Sequence, residues 1–177
     1  MSEDIRPQYD QLGVEGYYRT HGSSYRNPHE FAVHELLEGI IKTNDPDLSN
    51  VLDLACGSGE VTLKLLEFGA RVHGIDPFTG AAYLERTGQI AEPLTFEDIA
   101  NGALEGRAYS LVVCSFALHL VEASRLPMLC YQLARVTSKL VILTPHKRPV
   151  IQESWGWILE TELLIDRVRG RVYIASG

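Results

Sequence analysis

Apolar positions along this chain follow two rhythms. Short unbroken runs occur at Val51-Leu52, at Leu111-Val112-Val113 and at Leu140-Val141-Ile142-Leu143, as in strands covered on both faces. Elsewhere apolar residues fall three and four apart. From His29 to Thr43 they are Phe31, Val33, Leu36, Leu37, Ile40 and Ile41, a helical period with Pro28 just ahead of it. Further helices are predicted over 60–68, closed by Gly69, over 79–86, closed by Gly88, and over 126–136. Strands are predicted at 50–55, 71–75, 93–96, 109–115 and 139–144. Their alternation with helices predicts an α/β fold, a doubly wound and mostly parallel sheet with helices on both faces.

Both ends of the chain depart from that alternation. Residues 157–165 and 168–175 are strand-like runs separated by Asp166-Arg167. The gap is too short for a helical crossover, so an antiparallel hairpin is expected. Arg167, Arg169 and Arg171 alternate there and are expected on a solvated outer face. The first 28 residues hold Tyr9, Tyr17, Tyr18, His21 and Tyr25, with His29 directly after. This aromatic density does not fit the core pattern, so the chain divides into an N-terminal segment, 1–28, and one domain, 29–177.

Composition narrows the class. A chain of 177 residues with 45% hydrophobic and 22% charged residues suits one globular domain. No apolar stretch approaches the ~20 residues of a membrane span. Met1-Ser2-Glu3-Asp4 lacks the basic start of a secretory signal. A cytoplasmic address is expected, with a nuclear one left open. The net charge of −7 weighs against unaided nucleic-acid binding. Cys56, Cys114 and Cys130 are odd in number and form no Cys-x-x-Cys pair, so neither a disulfide framework nor a metal site is expected.

The candidate chemistry begins at residues 51–59, Val-Leu-Asp-Leu-Ala-Cys-Gly-Ser-Gly, followed by a helical segment. A buried strand, a glycine turn and a helix N-terminus present unobstructed backbone N–H donors to a ligand. A dinucleotide fingerprint needs a small residue at position 62, which is Thr62. No Gly-Lys-Ser/Thr follows, so the turn is not a P-loop. Asp53 suits a ligand with a cationic end.

Leu52-Asp53-Leu54-Ala55-Cys56-Gly57-Ser58-Gly59 resembles the first motif of class I S-adenosylmethionine-dependent methyltransferases, with Ala55 in place of the first glycine. Val72-His73-Gly74-Ile75-Asp76, Phe96-Glu97-Asp98-Ile99 and the segment Tyr109 to Leu120 resemble the later motifs, in order. The resemblance spans roughly residues 48–175 and is to a small Rossmann-like transferase domain of the type-11 kind. It implies a seven-stranded sheet of order 3-2-1-4-5-7-6 with strand 7 antiparallel. It also implies S-adenosylmethionine as cofactor. By the same resemblance the cofactor is held by Asp53, Ala55, Cys56, Gly57 and Gly59 at its amino-acid end. Asp76 binds the ribose, and Pro77, Phe78, Asp98 and Ile99 the adenine, with Glu97 as the alternative acid. Ser115, Phe116 and His119 face the methyl.

His119 is then one candidate base, with His146 after Thr144-Pro145 and His21 in the N-terminal segment as the others. The resemblance also implies that the N-terminal segment, residues 7–28 in particular, covers the cleft as a lid, which makes Tyr17, Tyr18 and Tyr25, with Phe116, candidate lid and substrate residues. The fourth strand lacks the Asn/Asp-Pro-Pro-aromatic ending of many amino-group methyltransferases, and no Pro-Cys offers a nucleophile for cytosine carbon-5. These absences leave a small molecule, or a protein or RNA recognised elsewhere, as acceptor; the short, acidic chain without an evident recognition domain favours a small molecule. An RNA or protein methyltransferase working with a partner, and an inactive scaffold of the same fold, are the alternatives.

Overall fold

In the computed structural model the described residues are 13, 15–17 and 19–177. Tyr9, Tyr18 and half of the predicted N-terminal segment lie outside them. Six strands form one sheet: β1 (Val51–Leu54), β2 (Val72–Ile75), β3 (Leu111–Ser115), β4 (Lys139–Thr144), β5 (Trp157–Ile165) and β6 (Val168–Ala175), in the order β2-β1-β3-β4-β6-β5. The first four are parallel in register, Leu54 lying beside both Ile75 and Cys114. β6 runs antiparallel between β4 and β5.

This is the implied order without its outermost strand. The predicted strand at 93–96 does not form. Glu92 makes a single bridge to Ile75, and Pro93, with no N–H to offer, interrupts the ladder. Thr95 then caps a helix through a reciprocal pair of bonds with Asp98.

The helices that flank the sheet include α1 (Glu30–Asn44), α2 (Glu60–Glu67), α3 (Gly80–Thr87), α4 (Phe96–Ala100) and α5 (Leu126–Ala134). One face of the sheet is covered by Val33, Leu36, Leu37 and Ile40 of α1 and by Val61 and Leu65 of α2. The other is covered by Ile99 of α4, by Leu126, Leu129, Cys130 and Leu133 of α5, and by Trp157, whose indole donates to the carbonyl of Cys130 at 2.9 Å. Truncating any of these buried leucines to Ala would cost about 2–5 kcal/mol.

Arg167 is exposed in the hairpin turn, as expected, but Arg169 and Arg171 do not form a free solvated face. Register places Arg171 opposite Glu162, and Arg169 and Arg171 both bond that carboxylate, at 3.2 and 2.7 Å. Arg171 is buried and also donates to the carbonyls of Lys147 and Pro149. All three cysteines are buried free thiols. Among the described residues no helix is long and apolar enough to cross a membrane.

Candidate functional site

The C-terminal ends of β1, β2 and β3 open into a cleft of about 550 Å³. Ligands of open α/β sheets bind at this edge, and the volume falls in the range of small-molecule sites, about 300–1,000 Å³. Ala55, Cys56 and Gly57 form its floor. The turn is left-handed at Ala55 (φ 57°) and Gly57 (φ 56°). A Cβ on Gly57 would stand 3.2 Å from the ring of Tyr25 and 3.5 Å from the Glu60 carboxylate. Gly59 has a different task. It lies off the cleft wall, and a Cβ there would meet Thr87 at 2.5 Å, so this glycine lets α3 close on the turn.

Asp53 belongs to the cleft wall yet is fully buried. Its Oδ2 accepts from the amide of Thr62 at 3.1 Å and from the Thr62 hydroxyl at 2.7 Å. Its Oδ1 is buried without a hydrogen-bond partner. Burial pushes its carboxyl up to about 7; the Thr62 bonds oppose this, and the charges of Glu60 and Asp76 add to it. Thr62, which broke the dinucleotide pattern, is thus the anchor that fixes the acid beneath the turn. Its hydroxyl also lies 2.9 Å from that of Tyr83.

Asp76 directly follows β2 and is buried in the cleft wall. Its Oδ2 accepts from the amide of Gly57 at 3.2 Å, and its Oδ1 from the amides of Phe78 and Thr79 at 2.8 and 3.0 Å. One carboxylate therefore ties the glycine turn to the start of α3. Pro77 and Phe78 continue the wall.

Opposite them the wall is Leu94, Thr95, Phe96 and Glu97. Asp98 and Ile99 are turned away: the Asp98 carboxylate caps Thr95, and the Ile99 amide bonds the Thr95 carbonyl within the helix. Glu97, the alternative acid, is the one brought to the cleft, where it pairs with Arg125 at 2.9 Å. Past β3 the wall comprises Ser115, Phe116, Ala117, Leu120 and Val121. The Ser115 hydroxyl is buried without a partner. Phe116 is left-handed (φ 56°), a strained position for a bulky residue, and its ring stacks on His29 at 5.1 Å.

The N-terminal segment reaches the same cleft through Glu15, Tyr25 and Asn27. Gly22 lies so close beneath Phe78 that a Cβ would stand 2.3 Å from its carbonyl oxygen. Asn27 is buried, and its amide donates to Glu60 Oε1 at 3.1 Å. Ser58 Oγ bonds the same oxygen, and Arg86 approaches it at 3.5 Å while pairing with Glu30 at 2.6 Å. Sequence reasoning did not single out Asn27, Glu60 or Arg86. Asn27-Pro28 is a turn signal, but nothing local joins it to residues 58–60.

The candidate histidines are not in the cleft wall. His119 and His146 face each other with ring centroids 4.3 Å apart, and His21 stacks on Tyr17 at 4.7 Å. Tyr17 is buried and also outside the wall. Among the described residues no group of three or more His, Cys, Asp or Glu could hold a metal ion.

A family model described as "Methyltransferase domain" matches residues 51–139, which run from the first strand through the cleft to the start of β4. The chain belongs to this family of class I, S-adenosylmethionine-dependent methyltransferases. An uncharacterized protein of Schizosaccharomyces pombe is 35% identical, over 86% of this chain and 79% of that protein. Among solved structures, the magnesium protoporphyrin IX methyltransferase of Synechocystis PCC 6803 with bound S-adenosylmethionine superposes with a TM-score of 0.63 at 18% identity, covering 97% of this chain and 95% of the other. The N-methyltransferase NodS of Bradyrhizobium japonicum WM9, in complex with S-adenosylhomocysteine, gives 0.64 at 16% identity over 85% and 89%. At such identities these two speak for the fold.

Proposed function

We propose that the cleft binds S-adenosylmethionine and that the protein transfers its methyl group to a small-molecule acceptor. The observation that carries this reading is the buried Asp53 Oδ1, an acceptor without a donor beneath a left-handed glycine turn in a methyltransferase-family domain. A buried acceptor left alone is costly, and a ligand ammonium, directly or through a water, supplies what it lacks. The turn at Ala55 to Gly57 offers main-chain space to a carboxylate. Asp76 would take the ribose hydroxyls while keeping its bonds to the turn, and Pro77, Phe78, Leu94, Phe96 and Ala117 offer apolar surface to the adenine.

When bound, the cofactor supplies a methyl group already activated by a sulfonium. The chain's own task is to align a nucleophile and exclude water. Tyr25, Asn27 and Phe116 are placed for this, and residues 22–29 act as the cover of the cleft. No histidine needs to move a proton for an acceptor that arrives deprotonated.

A small acceptor is supported by the limited volume of the cleft, about 550 Å³. It is also supported by the fold neighbour named for a porphyrin substrate. Isothermal titration with S-adenosylhomocysteine tests the cofactor. Micromolar binding is expected, and Asp76→Ala should weaken it by about 1–3 kcal/mol through unpaired hydroxyls. No binding at millimolar ligand refutes the reading. Methyl incorporation into tRNA, rRNA or a protein partner but not into small-molecule pools would favour the partner-dependent alternative.

A further inference from the structure

Glu60 sits at the first turn of α2, and its carboxylate is the meeting point of three separate pieces of chain. Its Oε1 accepts the Asn27 amide at 3.1 Å from the N-terminal strap, residues 22–29, and the Ser58 hydroxyl from the glycine turn. Arg86 of α3 stands 3.5 Å away and also reaches the Ser58 hydroxyl at 3.3 Å. Glu60 is itself buried and lines the cleft. The strap is seated by shape as well. Tyr25 lies on Gly57, and Gly22 lies on the Phe78 carbonyl.

We infer that Glu60 is a positioning residue that couples closure of this strap to occupancy of the glycine turn. The inference rests on the cofactor reading above. Its physical basis is the sign of the charge. A carboxylate-bearing ligand at the turn approaches the negative Glu60, and like charges in a partly desolvated cleft repel. With the strap closed, Asn27, Ser58 and Arg86 together neutralise that carboxylate. Lifting the strap strips away the Asn27 donor, uncovers Gly57 and leaves Glu60 more repulsive. Closure therefore favours the ligand, and by reciprocity the ligand favours closure.

Hydrogen exchange of the strap amides, with and without S-adenosylhomocysteine, tests this in the full chain. In the wild type the ligand should slow exchange over residues 22–29, Asn27 included. Glu60→Ala should speed strap exchange without ligand by about tenfold or more, the loss of one hydrogen bond to a charged group, while β3 and β4 amides stay unchanged. In that variant the ligand should no longer slow the strap. Glu60→Gln keeps an oxygen for the Asn27 amide and should restore most of the ligand-free protection, which a loss of global stability would not predict.

Wild-type protection persisting in Glu60→Ala, or an undiminished response of its strap to ligand, overturns the coupling. Binding to the wild type with no change in the strap overturns the coupling alone and leaves the cofactor reading intact. No binding to the wild type removes both. If Glu60→Ala does not fold, Tyr25→Ala decides, since it loosens the strap and leaves the Glu60 network in place. Ligand-induced protection of Asn27 should then shrink, and an unchanged value counts against the inference.

Discussion

Asp53 grips Thr62 twice through a single oxygen, accepting its amide at 3.1 Å and its hydroxyl at 2.7 Å, and leaves its other oxygen unused within the cleft wall. The acid therefore joins the end of β1 to the first turn of α2, and in the function proposed above its second oxygen serves the ligand. Both roles depend on a carboxylate that water does not reach.

That burial fixes a pH dependence. The folded-state pKa of Asp53 is raised from 3.8 to about 7, so between those values the unfolded chain has released a proton that the folded chain still holds. Stability contributed by this site is full below pH 4, falls as pH rises towards 7 and is flat above it. Asp53→Asn retains an acceptor for Thr62 and cannot ionise. Urea unfolding from pH 4 to pH 8 should show the variant gaining on the wild type across that window. A gap independent of pH would mean that Asp53 titrates normally.

Glu92 titrates with the opposite sign. Arg107 grips it with two bonds, at 2.7 and 2.8 Å, and His73 adds a third at 3.0 Å, which holds its carboxyl down at about 2. The resulting stability is present above pH 4.5 and disappears as pH falls to 2. Arg107→Leu should therefore be destabilising at pH 6, by a modest amount for a half-exposed pair, and neutral near pH 2. Equal destabilisation at both pH values would assign the effect to lost packing.

Gly74 has its neighbour against it. A Cβ there would stand 2.6 Å from the Tyr83 hydroxyl and ring. Tyr83 is buried against the sheet and bonded to Thr62. Gly74→Ala should cost about 1–3 kcal/mol by overpacking. In a Tyr83→Ala background the same change should cost at least about 1 kcal/mol less, because the two sites are in contact. Additive costs would show that the clash relaxes elsewhere.

Gly22 tests the seat of the strap. Its missing Cβ leaves room for the Phe78 carbonyl, and backbone on both sides cannot yield cheaply. Gly22→Ala should weaken S-adenosylhomocysteine binding by about tenfold or more, the equivalent of an overpacking strain above 1 kcal/mol. Global unfolding should change little. Calorimetric titration set beside urea unfolding separates the two, and unchanged affinity would mean that the strap does not cover the ligand.

Much of this was legible along the chain because the signals are local. The glycine turn, the strands that frame it and the terminal hairpin each lie within one short stretch, and all form where they were expected. The strand at 93–96 failed for a local reason too: Pro93 and the Thr95–Asp98 capping box both oppose it. That box also explains why Asp98 turns away while Glu97 reaches the cleft. Long-range relations were not legible. Nothing near Gly59 announces that its bare Cα serves Thr87, and nothing near Glu60 announces Asn27, 33 positions earlier. Histidines at the right rim say little about direction, and His119 and His146 turn to each other.

The position of β6 has a consequence for how the domain is assembled. This strand follows β5 along the chain yet lies between β4 and β5 in the sheet. Until residues 168–175 arrive, β4 keeps an open edge, β5 has no neighbour, and α1 rests on an incomplete platform. A nascent chain emerging from the ribosome would thus expose a sticky ladder of main-chain groups until β6 is inserted. Truncation just before β6 should then yield aggregates, not a shortened folded domain.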